Sequence, residues 1–290
     1  MTLTSDDLER LTDVAIEAAE AAGEMIARSR PAEIEHKFAG ASLASQVVTE
    51  IDRRSEAMII DRLAPTVERF GLGLLTEERD DDGSRHRADH FWCVDPLDGT
   101  LPFIEGRPGS AVSIALVRRD GTPVIGVVED LATGSVLHAV AGGGAFVDGQ
   151  AWRPPDPGPS LTVFADRSLL SGPNADALVV SLERVAAELG VVDLRLEVGA
   201  GAVMNACGAL LRPPGCYLKF PTPVEGGGSL WDFAATACLF TEVGAVASDA
   251  TGRPLVLNRH GSTFMNHRGV LFASDPHIAR AVRRVVSSTD

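Results

Sequence analysis

The stretch Trp92-Cys93-Val94-Asp95-Pro96-Leu97-Asp98-Gly99-Thr100 decides how the rest of the chain is read. The apolar run from His90 to Val94 predicts a buried strand. It ends in two carboxylates three positions apart, with Pro96 between them. Proline cannot extend a central strand, so a turn is expected there that holds Asp95 and Asp98 close in space. Two such anions repel each other, and a cation between them relieves the repulsion. Oxygen donors favour Mg²⁺, Mn²⁺ or Ca²⁺ over zinc. Gly99 allows close backbone approach, and its N–H suits a phosphate group, the more so if a helix begins there. Thr100 adds a hydroxyl. An ordinary Asp-Pro and Asp-Gly surface turn accounts for these residues equally well, so the decision falls to the rest of the chain.

Upstream of this stretch, residues 5–29 form an apolar stripe of helical period through Leu8, Leu11, Ala15, Ala18, Ala22 and Ile26. Asp6 with Glu9 fits a capping box, and Arg30-Pro31 ends the helix. Residues 37–45 are small and polar and read as a loop. A second helix is expected from Val47 or Thr49 to about Leu63, stopped by Pro65, with Thr49 or a neighbour as its cap. Asp52 then sits in the first turn, where a carboxylate suits the helix dipole without any further role. Leu72 to Leu75 is a short strand that delivers Thr76-Glu77-Glu78, and Asp80-Asp81-Asp82-Gly83 is a solvated turn.

Downstream, Ala111–Val117 and Val124–Val128 are strands joined across Asp120-Gly121, a strong hairpin signal. Ser135–Val140 and Gly144–Val147 follow, with Asp148-Gly149 as the next turn. The proline-rich run Arg153–Pro159 reads as a linker. It divides the chain into an N-terminal α+β half, 1–152, and a C-terminal α/β half, 160–290. The second half alternates: strands at 161–165, 192–197, 216–220, 245–247 and 270–273, helices at 175–189, 201–211 and 231–243. A last helix follows Asp275 as cap, with Pro276 at its first position.

Composition sets outer bounds. The 290 residues can bury a large core, and 45% hydrophobic with 23% charged residues is ordinary for a soluble globular protein. A net charge of −14 argues against a nucleic-acid-binding surface. It does not forbid an anionic substrate where metal ions supply local positive charge. No apolar run approaches membrane-spanning length. Cys93, Cys207, Cys216 and Cys238 are scattered in apolar contexts and read as buried free thiols in a reducing cytoplasm.

Four acidic sites stand out: Asp52, Glu77 with Glu78, Asp95 with Asp98, and Asp232. Asp232 alone is a first-turn helix residue, in Trp231-Asp232-Phe233-Ala234-Ala235 after the run Gly226-Gly227-Gly228. Convergence of these groups on one point makes a multi-cation site able to activate water and clamp a phosphoryl oxygen.

Val48-Thr49-Glu50-Ile51-Asp52, Thr76-Glu77-Glu78, Asp95-Pro96-Leu97-Asp98-Gly99-Thr100 and Trp231-Asp232-Phe233-Ala234-Ala235 occur in the order seen in the inositol monophosphatase superfamily. Gly142-Gly143-Gly144-Ala145-Phe146-Val147-Asp148-Gly149 is similar to a further family segment, and the chain resembles the family over nearly its whole length. The resemblance implies a layered αβαβα sandwich, usually dimeric, and a lithium-sensitive Mg²⁺-dependent phosphatase acting on a small phosphorylated substrate. It implies that Glu77, Asp95 and the Leu97 carbonyl hold one Mg²⁺, that Asp95, Asp98 and Asp232 hold a second, and that Glu77 helps to hold a weaker third. It also implies that Thr100 with Asp52 orients and deprotonates the attacking water while the N–H groups of Gly99 and Thr100 grip the phosphate. Glu78 fits a surface role as well as a site role.

Substrate choice is less legible. Leu101-Pro102-Phe103 matches neither the inositol-type nor the bisphosphate-nucleotidase pattern of the family. Lys219 stands where inositol-type members often carry an acidic residue facing substrate hydroxyls. A lysine at a loosely aligned strand end is usually a surface residue, which favours a polyol phosphate such as inositol monophosphate. A lysine facing the pocket favours a 3′(2′),5′-bisphosphate nucleotide instead. Ser262–His267 reads as a packed loop, with His267 not needed as a base. A non-catalytic metal-binding regulatory protein on the same fold is the alternative of another class. Retention of all the acidic motifs and of Thr100 speaks against it.

Overall fold

A computed structural model of the chain describes residues 3–29, 41–172 and 174–287. Helix α1 (Ser5–Ser29) and helix α2 (Ala41–Phe70) lie together on one face of a seven-stranded sheet. The sheet runs in chain order: β1 (Gly73–Thr76), β2 (His90–Asp98), β3 (Ala111–Arg118), β4 (Pro123–Asp130), β5 (Val136–Val140), β6 (Gly144–Val147) and β7 (Gln150–Trp152). Only β1 and β2 are parallel, and the rest is the antiparallel meander expected from the Asp-Gly turns. Two short helices, α3 (Ser84–Arg87) and α4 (Thr100–Ile104), flank β2.

The second sheet holds β8 (Ser160–Ala165), β9 (Asp193–Val198), β10 (Gly215–Lys219), β11 (Val246–Ser248) and β12 (Val270–Ala273), in the order β11-β12-β10-β8-β9. Helices α7 (Ala202–Leu211) and α8 (Leu230–Glu242) fill the space between the sheets. The short helix α5 (Arg167–Ser171) leads into α6 (Ala175–Glu188), which with α9 (Pro276–Ser287) covers the outer face. The layers therefore run αβαβα. One apolar cluster joins Cys93, Ala115 and Val128 of the first sheet to Phe164, Tyr217 and Phe272 of the second across these inner helices. All four cysteines are buried and free.

Three local expectations are corrected. The second helix begins at Ala41 and runs through Pro65 to Phe70, so Thr49 is inside it and is not its cap, and Asp52 lies well beyond its first turn. Residues 41–45, read as loop, are helical; 37–40 and the Arg30-Pro31 stop lie outside the described residues. The cap of α1 is formed by Thr4 and Asp7, not by Asp6 and Glu9: Asp7 N–H donates to Thr4 Oγ1 at 3.2 Å and Thr4 N–H to Asp7 Oδ2 at 3.0 Å. The chain does not turn at Pro96. Strand β2 passes through it to Asp98, and its pairing with β3 breaks between Asp95 and Asp98. A bulge accommodates the proline, because the missing N–H falls where the ladder is already interrupted.

Strand β4 meets α1 at an unusual contact. A Cβ on Gly23 would lie 2.0 Å from Oε1 of buried Glu129, so a larger residue there would have to displace that carboxyl group. Oε2 of Glu129 has no hydrogen-bond partner among the described residues. Burial, then the charges of Glu20 and Glu24 on α1, push Glu129 up to about 7. A carboxyl raised in the folded state binds its proton more tightly there than in the unfolded chain. Its contribution to stability is therefore full below the unfolded value and is lost as pH rises towards about 7. Glu129→Gln is expected to raise stability at pH 8 by roughly 1–2 kcal/mol and to leave it nearly unchanged at pH 4, read from urea midpoints. An equal effect at both pH values would refute this account.

Candidate active site

Each acidic motif reaches the site on a different element. Parallel pairing of β1 with β2 sets Thr76 opposite Val94, so Glu77 emerges beside Asp95. The bulge in β2 lets both Asp95 and Asp98 point to the same end of the sheet, and Leu97 N–H donates to Asp95 Oδ1 at 3.0 Å. Asp232 comes from the first turn of α8, where its Oδ2 accepts the N–H of Ser229 at 2.7 Å. Ligand oxygens of Asp95, Asp98 and Asp232 all lie within 4.8 Å of one another. Glu77, open on its outer side, is within hydrogen-bonding reach of Asp95 on its inner side.

The inner helix α7 is aimed at this cluster. Asp98 Oδ1 accepts the N–H of Ala202 at 3.1 Å and Oδ2 that of Val203 at 3.0 Å, so the helix start partly compensates its charge. A Cβ on Gly201 would fall 2.1 Å from Asp98 Oδ2, which makes glycine obligatory at that approach. Gly99 is constrained twice over: its φ is +76°, and a Cβ there would sit 2.5 Å from the Gly109 carbonyl. Thr100 follows at the start of α4, exposed, with Oγ1 3.5 Å from the Leu97 carbonyl.

The electrostatics are unbalanced. Burial first, and the neighbouring carboxylates second, hold Asp95 and Asp98 well above the usual carboxylate range. Burial raises Asp232 too, although the Lys219 charge and the Ser229 amide oppose this. Glu77 is pushed up to about 7 by burial and by Asp232, against the lowering effect of its hydrogen bond with Asp95. Asp52, on the inner face of α2, reaches about 7 through burial and the charges of Glu78 and Glu77, and its Oδ1 has no partner among the described residues. Four acidic oxygen donors with this little compensation suit hard divalent cations, and the donor set contains no sulfur or imidazole. The surface-turn interpretation of Asp95 and Asp98 is thereby excluded, since both are buried.

Lys219 departs from expectation. It is not a solvated strand-end lysine: its side chain is 16% exposed and its Nζ lies 2.9 Å from Asp166 Oδ2. The ammonium also donates to the Gly227 carbonyl and stands 5.6 Å from the centre of the Phe233 ring. It lines a cavity of about 220 Å³ together with Asp166, Ser168, Thr222, Gly227 and Asn266. Ser262–His267 forms part of the frame around this cavity. Met265 N–H donates to the Gly228 carbonyl and Thr222 N–H to that of Asn266, which ties the glycine-rich run in place. Asp166 escaped sequence reasoning, although a carboxylate at the end of β8 was a usable signal. Ser55 and Glu56 escaped it too, although they stand three and four residues after Asp52 on one helix face.

Comparison with known proteins agrees with this geometry. The profile of the "Inositol monophosphatase family" matches residues 7–287. The chain is 31% identical over 281 residues to an "Inositol-1-monophosphatase" of Mesorhizobium japonicum, covering 95% of this chain and 96% of that protein. It is 31% identical over 217 residues to a "Histidinol-phosphatase" of Chlorobaculum parvum, covering 72% and 82%. The fold superposes on inositol monophosphatase II from Staphylococcus aureus with a TM-score of 0.75 at 20% identity, over 97% and 96% of the two chains. A match running almost from end to end, on a fold whose acidic motifs meet at one corner, makes this chain a member of the inositol monophosphatase family.

Proposed function

We propose that the protein is a Mg²⁺-dependent phosphomonoesterase that hydrolyses a small phosphorylated polyol such as inositol monophosphate. The observation that carries this reading is the convergence of Asp95 and Asp98 from one motif with Asp232 from another, more than 130 residues later in the chain. Glu77, Asp95 and the Leu97 carbonyl would hold one Mg²⁺ and Asp95, Asp98 and Asp232 a second, with Glu77 sharing a weaker third. When bound, the ions neutralise the carboxylates, polarise the phosphoryl group and make a nearby water more acidic. Thr100 with Asp52 orients that water and takes its proton. The N–H groups of Gly99 and Thr100 hold the phosphate in line for attack. The reading also takes the enzyme to be a lithium-sensitive cytoplasmic homodimer. No described helix is long and apolar enough to cross a membrane.

The Lys219–Asp166 pair favours the polyol over the bisphosphate nucleotide. With its charge matched by Asp166, Lys219 offers no free positive charge to a second phosphate. A paired donor and acceptor facing one cavity suits hydroxyl groups.

Three experiments bear on this. Phosphate release from inositol 1-phosphate should need Mg²⁺, stop in excess chelator and fall with Li⁺, and Asp98→Asn should cost at least about 100-fold in kcat with the fold intact. Full activity in chelator ends the metal-dependent reading; inactivity on inositol 1-phosphate with activity on histidinol phosphate or a bisphosphate reassigns the substrate. Thr100→Ala should lose about 10²–10⁴-fold in rate while still binding Mg²⁺, and a near-wild-type rate would move the base elsewhere. Lys219→Ala should raise KM for the polyol phosphate and leave the low bisphosphate rate unchanged. A selective loss on 3′-phosphoadenosine 5′-phosphate would make the nucleotidase the primary reading.

A further inference from the structure

Helix α2 presents more than Asp52 to the site. On the same face, Ser55 and Glu56 are both buried, at 0% and 3% exposure, and each is bonded to the backbone of a different ligand loop. Ser55 Oγ donates to the Pro96 carbonyl at 2.8 Å. That carbonyl lies inside the β2 bulge, where the ladder to β3 is broken and offers it no strand partner. Glu56 Oε1 accepts the N–H of Glu78 at 3.2 Å, and Oε2 accepts Nε–H of Arg79 at 3.1 Å. One helical turn thus pins the Glu77-Glu78 loop and the Asp95–Asp98 bulge to a single rigid support.

From this we infer that Ser55 and Glu56 are positioning residues that preset the two carboxylate loops for cation binding, an inference that rests on the metal reading of the site. First, Glu77 follows a strand of only four residues, so the strand itself gives its loop little anchorage. Glu56 grips the next two residues and removes that freedom before any ion arrives. Second, with Ser55 bonded to the Pro96 carbonyl, the bulge has one orientation, and the Leu97 carbonyl is left facing Thr100. Third, Glu56 is itself an anion among anions, yet it spends both oxygens on N–H donors and is held away from competing for the ions. Ordering of ligands by such outer partners is commonly worth 10- to 100-fold in metal affinity.

Helix α2 also provides a control. Thr66, on the same buried face, accepts Trp92 Nε1–H at 2.9 Å and so fastens the helix to β2 without touching either loop. Thr66→Val should lower the melting temperature and leave metal affinity unchanged.

The test is calorimetric titration of the substrate-free protein with MgCl₂, alongside its melting temperature in chelator. Glu56→Ala and the shape-preserving Glu56→Gln are expected to weaken Mg²⁺ binding by about 10-fold or more, with Gln the milder of the two because one acceptor remains. Ser55→Ala should act in the same direction. Wild-type Mg²⁺ affinity in folded Glu56→Gln and Ser55→Ala overturns the inference while leaving the metal site itself in place. Equal weakening in Thr66→Val also overturns it, since the effect would then be one of general stability. No Mg²⁺ binding by the wild-type protein overturns both the inference and the reading it rests on.

Discussion

Repulsion among carboxylates gathered in one poorly hydrated corner governs the architecture around it. Asp95 and Asp98 are buried, and Asp232 and Glu77 close the group. Left alone, such a cluster binds protons or comes apart. The fold holds it together by spending rigid elements on each member. A bulged central strand carries two, the start of α8 carries one, and a parallel edge strand delivers the fourth. The amides of Ala202 and Val203 compensate part of the charge at Asp98.

Stability and function are therefore set against each other at this corner. Buried, mutually repelling acids are strain that packing elsewhere has to offset. The apolar cluster between the two sheets lies directly behind the site and supplies that packing, through α7 and α8. The same two helices aim their first turns at the carboxylates, so the elements that build the core also bring Asp232 and the Asp98 partners into place. Helix α2 does the equivalent from the outer layer, through Ser55 and Glu56.

A second cavity is lined by residues from the C-terminal half. Lys219, Asp166 and the glycine-rich run form a neutral, polar wall one step away from the anionic cluster.

Local sequence determined what depends on period and on turn chemistry. The meander followed from alternating apolar residues and Asp-Gly turns, the layered second half from strand–helix alternation, and the acidic set from its motifs. Tertiary structure decided three things that no local pattern holds. Pro96 sits within a strand because a neighbouring ladder is interrupted at that point, which is a property of the pair and not of the segment. Pro65 lies inside α2 rather than ending it, in a helix whose inner face buries Ile59 and Leu63 before the proline and Thr66 and Phe70 after it; packing along that face outweighs the lost hydrogen bond. Lys219 is largely screened from solvent and paired because Asp166, 53 positions earlier, follows directly on the adjacent parallel strand. Propensity acts over a few residues, whereas the partner of a charge or a carbonyl is chosen by whichever element the fold brings alongside.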